Sequence, residues 1–309
     1  MDTLLTALKA IAEPTRLRIL VVCGRAELTV SDIVRILGQS QPRVSRHLKL
    51  LVDAGLLERH QEGSWARYRL CAEGGMPRQL ADSVIALIAE NEVQIARDLS
   101  RLQTIRDEQA NKAKTYFSQN AEQWAQLRAL HIDEAEVDRA LSKAVLSTSV
   151  DRLIDIGTGT GHVLNTLGTK IGAGVGIDRS PDMLDIARTG LDQAGLFNCQ
   201  VRQADMNQLP FEDGRFDVAT LHMVLHFVDE PGFALAEAAR VLSPGGRLVV
   251  VDFAPHTLEE LVDQQAHVWL GFSDARMDGW LTSAGLKPKR PQRLKGGPLT
   301  VVLWVAEKP

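Results

Sequence analysis

Glycines occupy every second position in one stretch near the middle of this 309-residue chain, LIDIGTGTGHVL at residues 153–164. The glycines are Gly157, Gly159 and Gly161, and Asp155 lies in the apolar run before them. Turns of this kind let the backbone approach a nucleotide closely. A dinucleotide loop requires G-x-G-x-x-G, but His162 takes the third glycine position here, and the Gly-Lys-Ser/Thr of a phosphate loop is absent. The pattern that remains is Asp-x-Gly-x-Gly-x-Gly.

A second acidic residue, Asp178, ends the strand-like segment GVGID, 17 residues after Gly161. An acidic side chain at the end of a strand can accept hydrogen bonds from both hydroxyls of a ribose. The glycines and this carboxylate together predict a nucleoside-binding site.

The elements that must position this site alternate between strands and helices. After Asp151 the strand-like segments are RLIDIG, GVGID, CQVRQAD, FDVATLH, GRLVVVDF, one near Lys287, and TVVLWVA. Such alternation predicts a mostly parallel sheet, here of seven strands, with helices on both faces.

The first part of the chain has a different pattern, with two short helices joined by a tight turn. The first covers residues 28–37, with a cap at Thr29 or Ser31, and the second runs from Gln41 to about Ala54, with Ser40 as its expected cap. This is the spacing of a helix-turn-helix.

The second of these helices divides into an apolar stripe and a polar remainder. Val44, Leu48 and Leu51 recur at i, i+4 and i+7, which predicts their burial. The polar side chains left on the other faces suit phosphates and base edges of DNA; they are Gln41, Arg43, Ser45, Arg46 and Lys49. A predicted β-hairpin follows at residues 56–70, where LLERHQ and ARYRL flank the turn Glu62-Gly63-Ser64, and adds a basic wing. Its basic residues include His60, Arg67 and Arg69.

The charge distribution agrees with a first part that contacts DNA. Residues 1–71 hold 11 Lys/Arg and 7 Asp/Glu, a net charge of +4, whereas the whole chain has a net charge of −4.

The three cysteines lie far apart, without metal-ligand or redox spacing, so we expect a reduced cytoplasmic protein. We find no N-terminal signal pattern and no apolar run near the roughly 20 residues of a membrane span, so no membrane partner is expected.

Three segments resemble the arsenic-repressor (ArsR) family of bacterial winged-helix repressors over about residues 1–103. They are AEPTRLRIL (12–20), SQPRVSRHLKLLVDAGLL (40–57) and EGSWARYRL (62–70). The resemblance implies a homodimer joined by the first and last helices of this domain. It also implies binding to a two-fold symmetric operator in double-stranded DNA.

The chain departs from that family at its metal-sensing positions. Many members carry a Cys-x-Cys pair where Thr29 and Ser31 stand here, and others carry histidine ligands on the dimer helix, whose counterpart at about 78–102 has none. Without thiolate or imidazole donors, tight zinc or arsenite sensing is not expected, and we predict no metal cofactor. The controlling signal is therefore expected to come from elsewhere in the chain.

The Asp-x-Gly-x-Gly-x-Gly pattern resembles the first motif of class I S-adenosylmethionine-dependent methyltransferases. Further motifs follow in the order of that family over about residues 140–309. They are DRSPDML (178–184), Ala204-Asp205-Met206, LPFEDGRFDVATLHMVLHFVD (209–229) and ARVLSPGGRLVVVDF (239–253). The resemblance implies S-adenosylmethionine or S-adenosylhomocysteine as the ligand, with Asp205 accepting from the adenine amine. The ligand-binding residues implied or predicted are Asp155, Gly157, Thr158, Gly159, Gly161, Asp178, Arg179, Met183, Ala204, Asp205, Met206 and His222.

Methyl transfer from a sulfonium is an in-line displacement, for which the protein mainly supplies alignment and a dry site. A general base is required only if the acceptor keeps its proton. The candidates are His222, expected to be closest to the methyl group, His226 and His267, and each of them could instead be a packed or surface histidine. Tyr116-Phe117 and Trp124 could cover the ligand or simply pack a helix.

Two functions fit this two-domain α/β organisation. The first is a transcriptional repressor whose methyltransferase-like domain binds S-adenosylmethionine or S-adenosylhomocysteine as effector and could retain methyl transfer. The second is an active methyltransferase of a small metabolite with an autoregulatory DNA-binding head. A pocket filled by side chains from 256–285 would favour sensing, and an open one would favour catalysis. Both functions divide the chain into a winged-helix domain at 1–103, a helical linker or lid at 104–139 and a class I methyltransferase domain at 140–309.

Overall fold

The computed structural model describes residues 1–62, 65–71, 75–89, 92–119, 134–258, 268–294 and 299–309. They form two compact units, Met1–Ala113 and Lys114–Pro309, which we describe separately. The three-part division at residues 103 and 139 stays a prediction.

The first unit combines helices with a small sheet. Its helices are α1 (Asp2–Ile11), α2 (Pro14–Cys23), α3 (Val30–Leu37), α4 (Gln41–Asp53), α5 (Met76–Leu87) and the first part of α6 (Val93–Gln119). Its strands are β1 (Leu28–Thr29), β2 (Leu57–Glu62) and β3 (Trp65–Leu70), with β3 in the centre. The stripe of Val44, Leu48 and Leu51 is completely buried. The helix-turn-helix and the wing are thus as predicted.

Two details of the helix starts differ from the prediction. Leu28 and Thr29 belong to a strand paired with β3, because the residue that caps a helix has extended backbone. Thr29 accepts from the Asp32 N–H, and the Asp32 carboxylate accepts from the Thr29 N–H, which makes a capping box. Ser40 lies at the cap position of α4, but its side chain makes no cap hydrogen bond. The predicted capping role of the Ser40 side chain is therefore wrong.

The second unit is a sheet covered on both faces by helices. The helices are α7 (Glu134–Val145), α8 (His162–Leu167), α9 (Pro181–Gln193), α10 (Pro231–Val241) and α11 (Asp274–Ser283). The strands are β4 (Arg152–Ile156), β5 (Ala173–Asp178), β6 (Cys199–Gln203), β7 (Phe216–His222), β8 (Leu242–Phe253), β9 (Lys287–Pro288), β10 (Gln292–Leu294) and β11 (Val301–Glu307). The strand order is β10-β11-β8-β7-β4-β5-β6, and β9 pairs with β11. Within the described residues this is one strand more than predicted, because β10 is added at the edge.

Strands β4 to β8 are parallel, and β11 is antiparallel to β8. The chain order reverses at β4, which lies between β5 and β7. At such a switch point the connections leave the carboxyl ends of the strands in opposite directions and open a crevice for a ligand. The glycine stretch follows β4 directly, so the fold places it at this crevice. Among the described residues, no helix is long and apolar enough to cross a membrane.

Candidate functional site

The glycine turn after β4 has a left-handed backbone at three places, with φ of +74° at Gly157, +52° at Gly159 and +78° at Gly161. A Cβ on Gly157 would overlap the side chain of Val224, and one on Gly161 would lie 3.0 Å from the Ala187 Cβ. Among the described residues, no atom would lie within 4 Å of a Cβ on Gly159. Packing therefore requires the outer two glycines, whereas the middle one borders open space that a ligand can occupy.

Asp155, on β4, is 1% exposed. Its Oδ1 accepts from the Thr220 hydroxyl at 2.6 Å, and its buried Oδ2 has no hydrogen-bond partner within the described part of the chain. Burial raises the pKa of Asp155 to about 6, and the nearby hydroxyls of Thr158 and Thr220 oppose that rise. A buried acceptor without a donor indicates a place for a donor of a ligand. Sequence reasoning missed Thr220, which faces Asp155 only through the register of β4 and β7.

Asp178, at the end of β5, holds the glycine turn in place. Its Oδ2 accepts from the Gly159 N–H and its Oδ1 from the Ser180 N–H, both at 2.9 Å. A carboxylate has about four lone-pair sites, so two backbone donors leave acceptor capacity for a ribose.

The segment after β6 lies beside Asp178, because the Ala204 N–H donates to the Asp178 carbonyl at 3.1 Å. The Asp205 Oδ1 accepts from the Asn207 N–H at 2.9 Å, which fixes its side chain in a tight turn. Met206 is half-buried against the core. The structure thus brings the predicted ribose and adenine residues together at neighbouring strand ends.

The other predicted ligand residues differ in how well they are placed. Thr158 is buried against β5, and its hydroxyl has no hydrogen-bond partner among the described residues. Met183 is half-buried on α9, whereas Arg179 is exposed. Arg179 therefore has the weakest structural support of the set.

His222 ends β7 and stacks on His162, with the ring centroids 5.7 Å apart. The His162 Nε2 lies 2.7 Å from the Asp138 Oδ1 on α7. Met223, the next residue, has a φ of +51°, which is uncommon outside glycine and often marks functional turns. Sequence reasoning treated His162 only as a missing glycine and did not anticipate this pair.

His226 lies in the short helical turn Leu225–Phe227 and is 3% exposed. Its Nδ1 is 2.8 Å from the Oδ1 of Asp252, which is fully buried near the end of β8. Asp252 was not predicted, although a carboxylate that directly follows the apolar run LVVV (248–251) is a detectable signal. Predictions about His267 and Trp124, and about the side chains of Tyr116-Phe117, lie outside the described residues.

The segment that follows β8 comes back to the turn that holds His226. The N–H groups of Val268 and Trp269 donate to the His226 carbonyl, and the His256 N–H donates to the Leu270 carbonyl. Residues 259–267 lie outside the described part, so the predicted contrast between a filled and an open pocket stays a prediction.

The predicted DNA-contacting side chains of α4 share one property, exposure to solvent; they are Gln41, Arg43, Ser45, Arg46 and Lys49. The wing is less clearly arranged for DNA. Arg67 is half-buried on the central strand β3, His60 lies 3.2 Å from Glu58, and Arg69 lies 4.0 Å from the same carboxylate. In the described ranges, no group of three His, Cys, Asp or Glu side chains is arranged to hold a metal ion.

Two family profiles match the chain. Residues 13–59 match the one described as "Bacterial regulatory protein, arsR family", and residues 154–250 match the one described as "Methyltransferase domain". The chain therefore contains an ArsR-family helix-turn-helix followed by a methyltransferase domain.

Curated relatives are similar to part of the chain. The uncharacterized methyltransferase YcgJ of Bacillus subtilis is 30% identical over 153 residues, which cover 48% of this chain and 60% of that protein. The demethylmenaquinone methyltransferase of Thermus thermophilus is 40% identical over 121 residues, which cover 38% of this chain and 52% of that protein. The chain thus spans between about half and three fifths of the length of these relatives.

Solved structures show the fold of the second unit. The crystal structure of Bacillus subtilis YcgJ matches with a TM-score of 0.51 and 21% identity, over 57% of this chain and 99% of that one. The geranyl diphosphate C-methyltransferase of Streptomyces coelicolor A3(2), in complex with Mg2+, geranyl diphosphate and S-adenosyl-L-homocysteine, matches with a TM-score of 0.50 and 16% identity, over 57% of this chain and 78% of that one. At this identity the likeness is one of fold, the Rossmann-like class I methyltransferase fold.

Proposed function

We propose that this chain, which joins an ArsR-family helix-turn-helix to a methyltransferase domain, is a DNA-binding transcriptional regulator with S-adenosylmethionine or S-adenosylhomocysteine as effector. The observation that carries the ligand assignment is the buried Asp155 Oδ2 beside the glycine turn, which accepts no hydrogen bond from the residues that the structure describes. The amino-acid part of either ligand carries an ammonium group, which is the donor that this buried acceptor lacks.

The residues of the crevice fit such a ligand. The open edge at Gly159 would admit its amino-acid part against the backbone, and Asp178 would accept from the ribose hydroxyls while it holds the turn. Asp205 and Met206 would line the adenine. No phosphate has to be bound, which agrees with the absence of a lysine from the glycine stretch.

The DNA-binding part of the proposal rests on α4. Its exposed Arg43, Arg46 and Lys49 would contact phosphates and base edges in the major groove. We also propose a homodimer, because Leu4, Leu5 and Leu8 expose 39–47% of their surface along α1. An apolar helix face of this kind is covered in a dimer.

The effector role is tested by DNA affinity. A duplex is first selected by the full-length protein from a random-sequence library, and its affinity is then measured with and without saturating S-adenosylmethionine or S-adenosylhomocysteine. We expect at least a tenfold change with one of them. The matched control is Asp178→Ala, which should bind the duplex equally well and show no response. Unchanged affinity of the wild type with both ligands, at concentrations where calorimetry shows occupancy, would rule out the effector role.

The second candidate function, methyl transfer to a small molecule, is favoured by the buried His226–Asp252 pair. When bound, S-adenosylmethionine supplies an activated methyl group; the chain's own residues have to orient the acceptor, exclude water and take up its proton. Both functions can coexist, since the same ligand crevice would serve effector binding and transfer.

A further inference from the structure

The turn between α3 and α4 determines where the DNA-reading helix begins, and side chains of other helices hold it. The last carbonyls of any α-helix, such as those of Ile36 and Leu37 on α3, need donors from outside the helix. The Ile36 carbonyl accepts from the Arg101 Nη1 of α6 at 2.8 Å, and the Leu37 carbonyl accepts from the Arg18 Nη2 of α2 at 3.0 Å. Two cations at this end also complement the helix dipole of α3.

Asp98, on α6, fixes the direction of the Arg18 side chain. Its carboxylate accepts from the Arg18 Nε at 2.6 Å and from the Arg18 Nη2 at 2.8 Å, and the Gln94 Nε2 donates to it at 3.4 Å. Asp98 is 0% exposed, and among the described residues of the first unit it is the one buried charged side chain. Because the bidentate contact holds the planar guanidinium in one orientation, the same Nη2 is directed at the Leu37 carbonyl.

Stability alone gives a weak reason for this buried ion pair. The cost of removing a carboxylate and a guanidinium from water largely offsets their attraction, and apolar side chains of similar size often stabilise a protein as well or better. Apolar side chains, however, could not donate to the Leu37 carbonyl. The pair thus supplies something that an apolar core cannot, a hydrogen-bond donor at a defined position beside the turn.

The turn itself is bound to α2 and α6 through further contacts. Ser40 lies at the cap position of α4 but makes no side-chain cap hydrogen bond. Gly38 has a left-handed φ of +65°, and a Cβ there would lie 3.2 Å from the Arg101 Nη1, so this arginine packs directly on the turn. The Gln39 Nε2 donates to the Thr15 hydroxyl of α2 at 3.3 Å. The start of α4 is therefore positioned by α2 and α6 and not by a side-chain cap of its own.

Reading bases requires a more exact helix position than contacting phosphates does. Hydrogen bonds to base edges need donor–acceptor distances of about 3 Å, whereas the attraction between a cation and the phosphates changes little over such distances. A shift of about 1 Å at the start of α4 would therefore break base contacts and preserve most of the attraction to phosphates.

We propose that Asp98, acting through Arg18, and Arg101 are positioning residues for sequence discrimination. They hold the turn at Gly38 so that the polar side chains of α4 meet the base edges in the major groove. This inference rests on the proposed DNA binding. It gives α6 a part in reading the sequence without any contact between these side chains and DNA.

The test compares affinity for two duplexes, the one selected by the full-length protein and a scrambled duplex of the same length and composition. The decisive variant replaces the ion pair by apolar side chains, Arg18→Met together with Asp98→Leu, in the full chain. Its circular-dichroism spectrum and its melting temperature should stay close to those of the wild type, within about 5 °C. The ratio of the two affinities should fall about 30-fold, as expected when one or two base contacts are lost. Affinity for the scrambled duplex should change less than about twofold, with an unchanged salt dependence.

Two single variants accompany this double variant. Arg101→Met removes the donor to the Ile36 carbonyl, and because Arg101 is exposed, this variant should fold even if the double variant does not. We expect its ratio to fall about fivefold, the effect of one hydrogen bond. The control is Glu108→Gln, since Arg35 and Glu108 join the same helices, α3 and α6, through side chains that are about half exposed. An exposed pair of this kind should change the ratio less than about twofold.

The outcomes separate this inference from the proposed function. An unchanged ratio in folded Arg101→Met and in the folded double variant would overturn the inference. A parallel loss of affinity for both duplexes would also overturn it, because the ion pair would then only maintain the fold. Wild-type protein that binds both duplexes equally well would overturn the inference and leave DNA binding intact. Wild-type protein that binds neither duplex would overturn the proposed DNA binding itself.

Discussion

The two units present in opposite ways the polar side chains that we propose for binding and chemistry. On α4 the side chains proposed for DNA contacts are exposed, and Arg46 and Lys49 extend into solvent. In the second unit, by contrast, Asp155, His226 and Asp252 are at most 3% exposed and are held by hydrogen bonds within the sheet.

This difference has an energetic consequence. An exposed cationic side chain that contacts a phosphate releases counterions from the DNA. Each such residue therefore contributes a modest and salt-dependent part of the DNA affinity. A buried carboxylate depends on geometry built by its neighbours, so small displacements remove most of its effect. Single substitutions should therefore act strongly in the crevice and mildly on α4.

The largest effect is expected at Gly157. In Gly157→Ala, the new Cβ would lie 2.9 Å from the Val224 Cβ, and its φ of +74° disfavours any other residue. The turn has to move, so we expect S-adenosylmethionine affinity to fall at least about 100-fold, or roughly 2.7 kcal/mol. Isothermal titration calorimetry measures it.

The control for this prediction is Gly195→Ala. Gly195 has nearly the same φ, +68°, but no atom of the residues that the structure describes would lie within 4 Å of a Cβ there. Its cost should be confined to backbone strain of about 1 kcal/mol in stability, with ligand affinity unchanged. Equal losses of affinity in both variants would show that φ alone, and not the crevice, is responsible.

The next effect concerns pH. Because burial raises the pKa of Asp155 to about 6 in the unliganded protein, its carboxylate becomes protonated as the pH falls below that value. A ligand ammonium requires the ionised form, so affinity should fall by up to about tenfold per pH unit below pH 6. The Asp155→Asn variant should bind weakly, with no such slope. A wild-type affinity that is flat between pH 7 and pH 5 would argue against contact between Asp155 and the ammonium.

Protonation of Asp155 has the opposite effect on the stability of the folded protein. The pKa of Asp155 is raised from an ordinary value of 3.8, so folding takes up a proton between about pH 4 and pH 6. The stability associated with neutral Asp155 is complete below its unfolded pKa and is lost as the pH rises through about 6. Ligand binding and stability should therefore respond to acid in opposite directions.

The comparison also explains what could be predicted from the sequence. The stripe of Val44, Leu48 and Leu51 and the polar faces beside it follow from helical periodicity within one segment, so α4 could be described correctly. The pairs that build the crevice join residues far apart in the chain. Asp155 meets Thr220, and His226 meets Asp252, only because β4, β7 and β8 are neighbours in a particular register. Periodicity carries no information about register, so motif order predicted the ligand but not these partners.

A smaller effect is expected for Arg46→Ala. Loss of one exposed phosphate contact should lower affinity for the selected duplex about fivefold near 0.15 M salt and reduce the slope of log affinity against log salt by about 0.9. The control is Arg78→Ala, because Arg78 on α5 already donates to the Asp82 carboxylate and to the carbonyl of Cys71, which follows β3. An unchanged slope in Arg46→Ala would remove Arg46 from the phosphate contacts.

The smallest effect is expected for Thr29→Ala. This variant tests whether DNA binding by the first unit also depends on the fixed position of a single side chain. Thr29 caps α3 through the Asp32 N–H at 3.1 Å, so its loss should cost about 1 kcal/mol. Ser40→Ala is the matched control, since Ser40 has the same cap position on α4 without a side-chain cap bond and should cost only a few tenths of a kcal/mol. Hydrogen exchange of the full chain, read on peptides from α3 and α4, should show about fivefold faster exchange in α3 for the first variant and little change in α4 for the second. Because the cap stabilises only the end of a helix whose buried face is intact, affinity for the duplex should change less than about twofold. A larger loss would mean that DNA binding depends on a fixed side-chain arrangement at the start of α3.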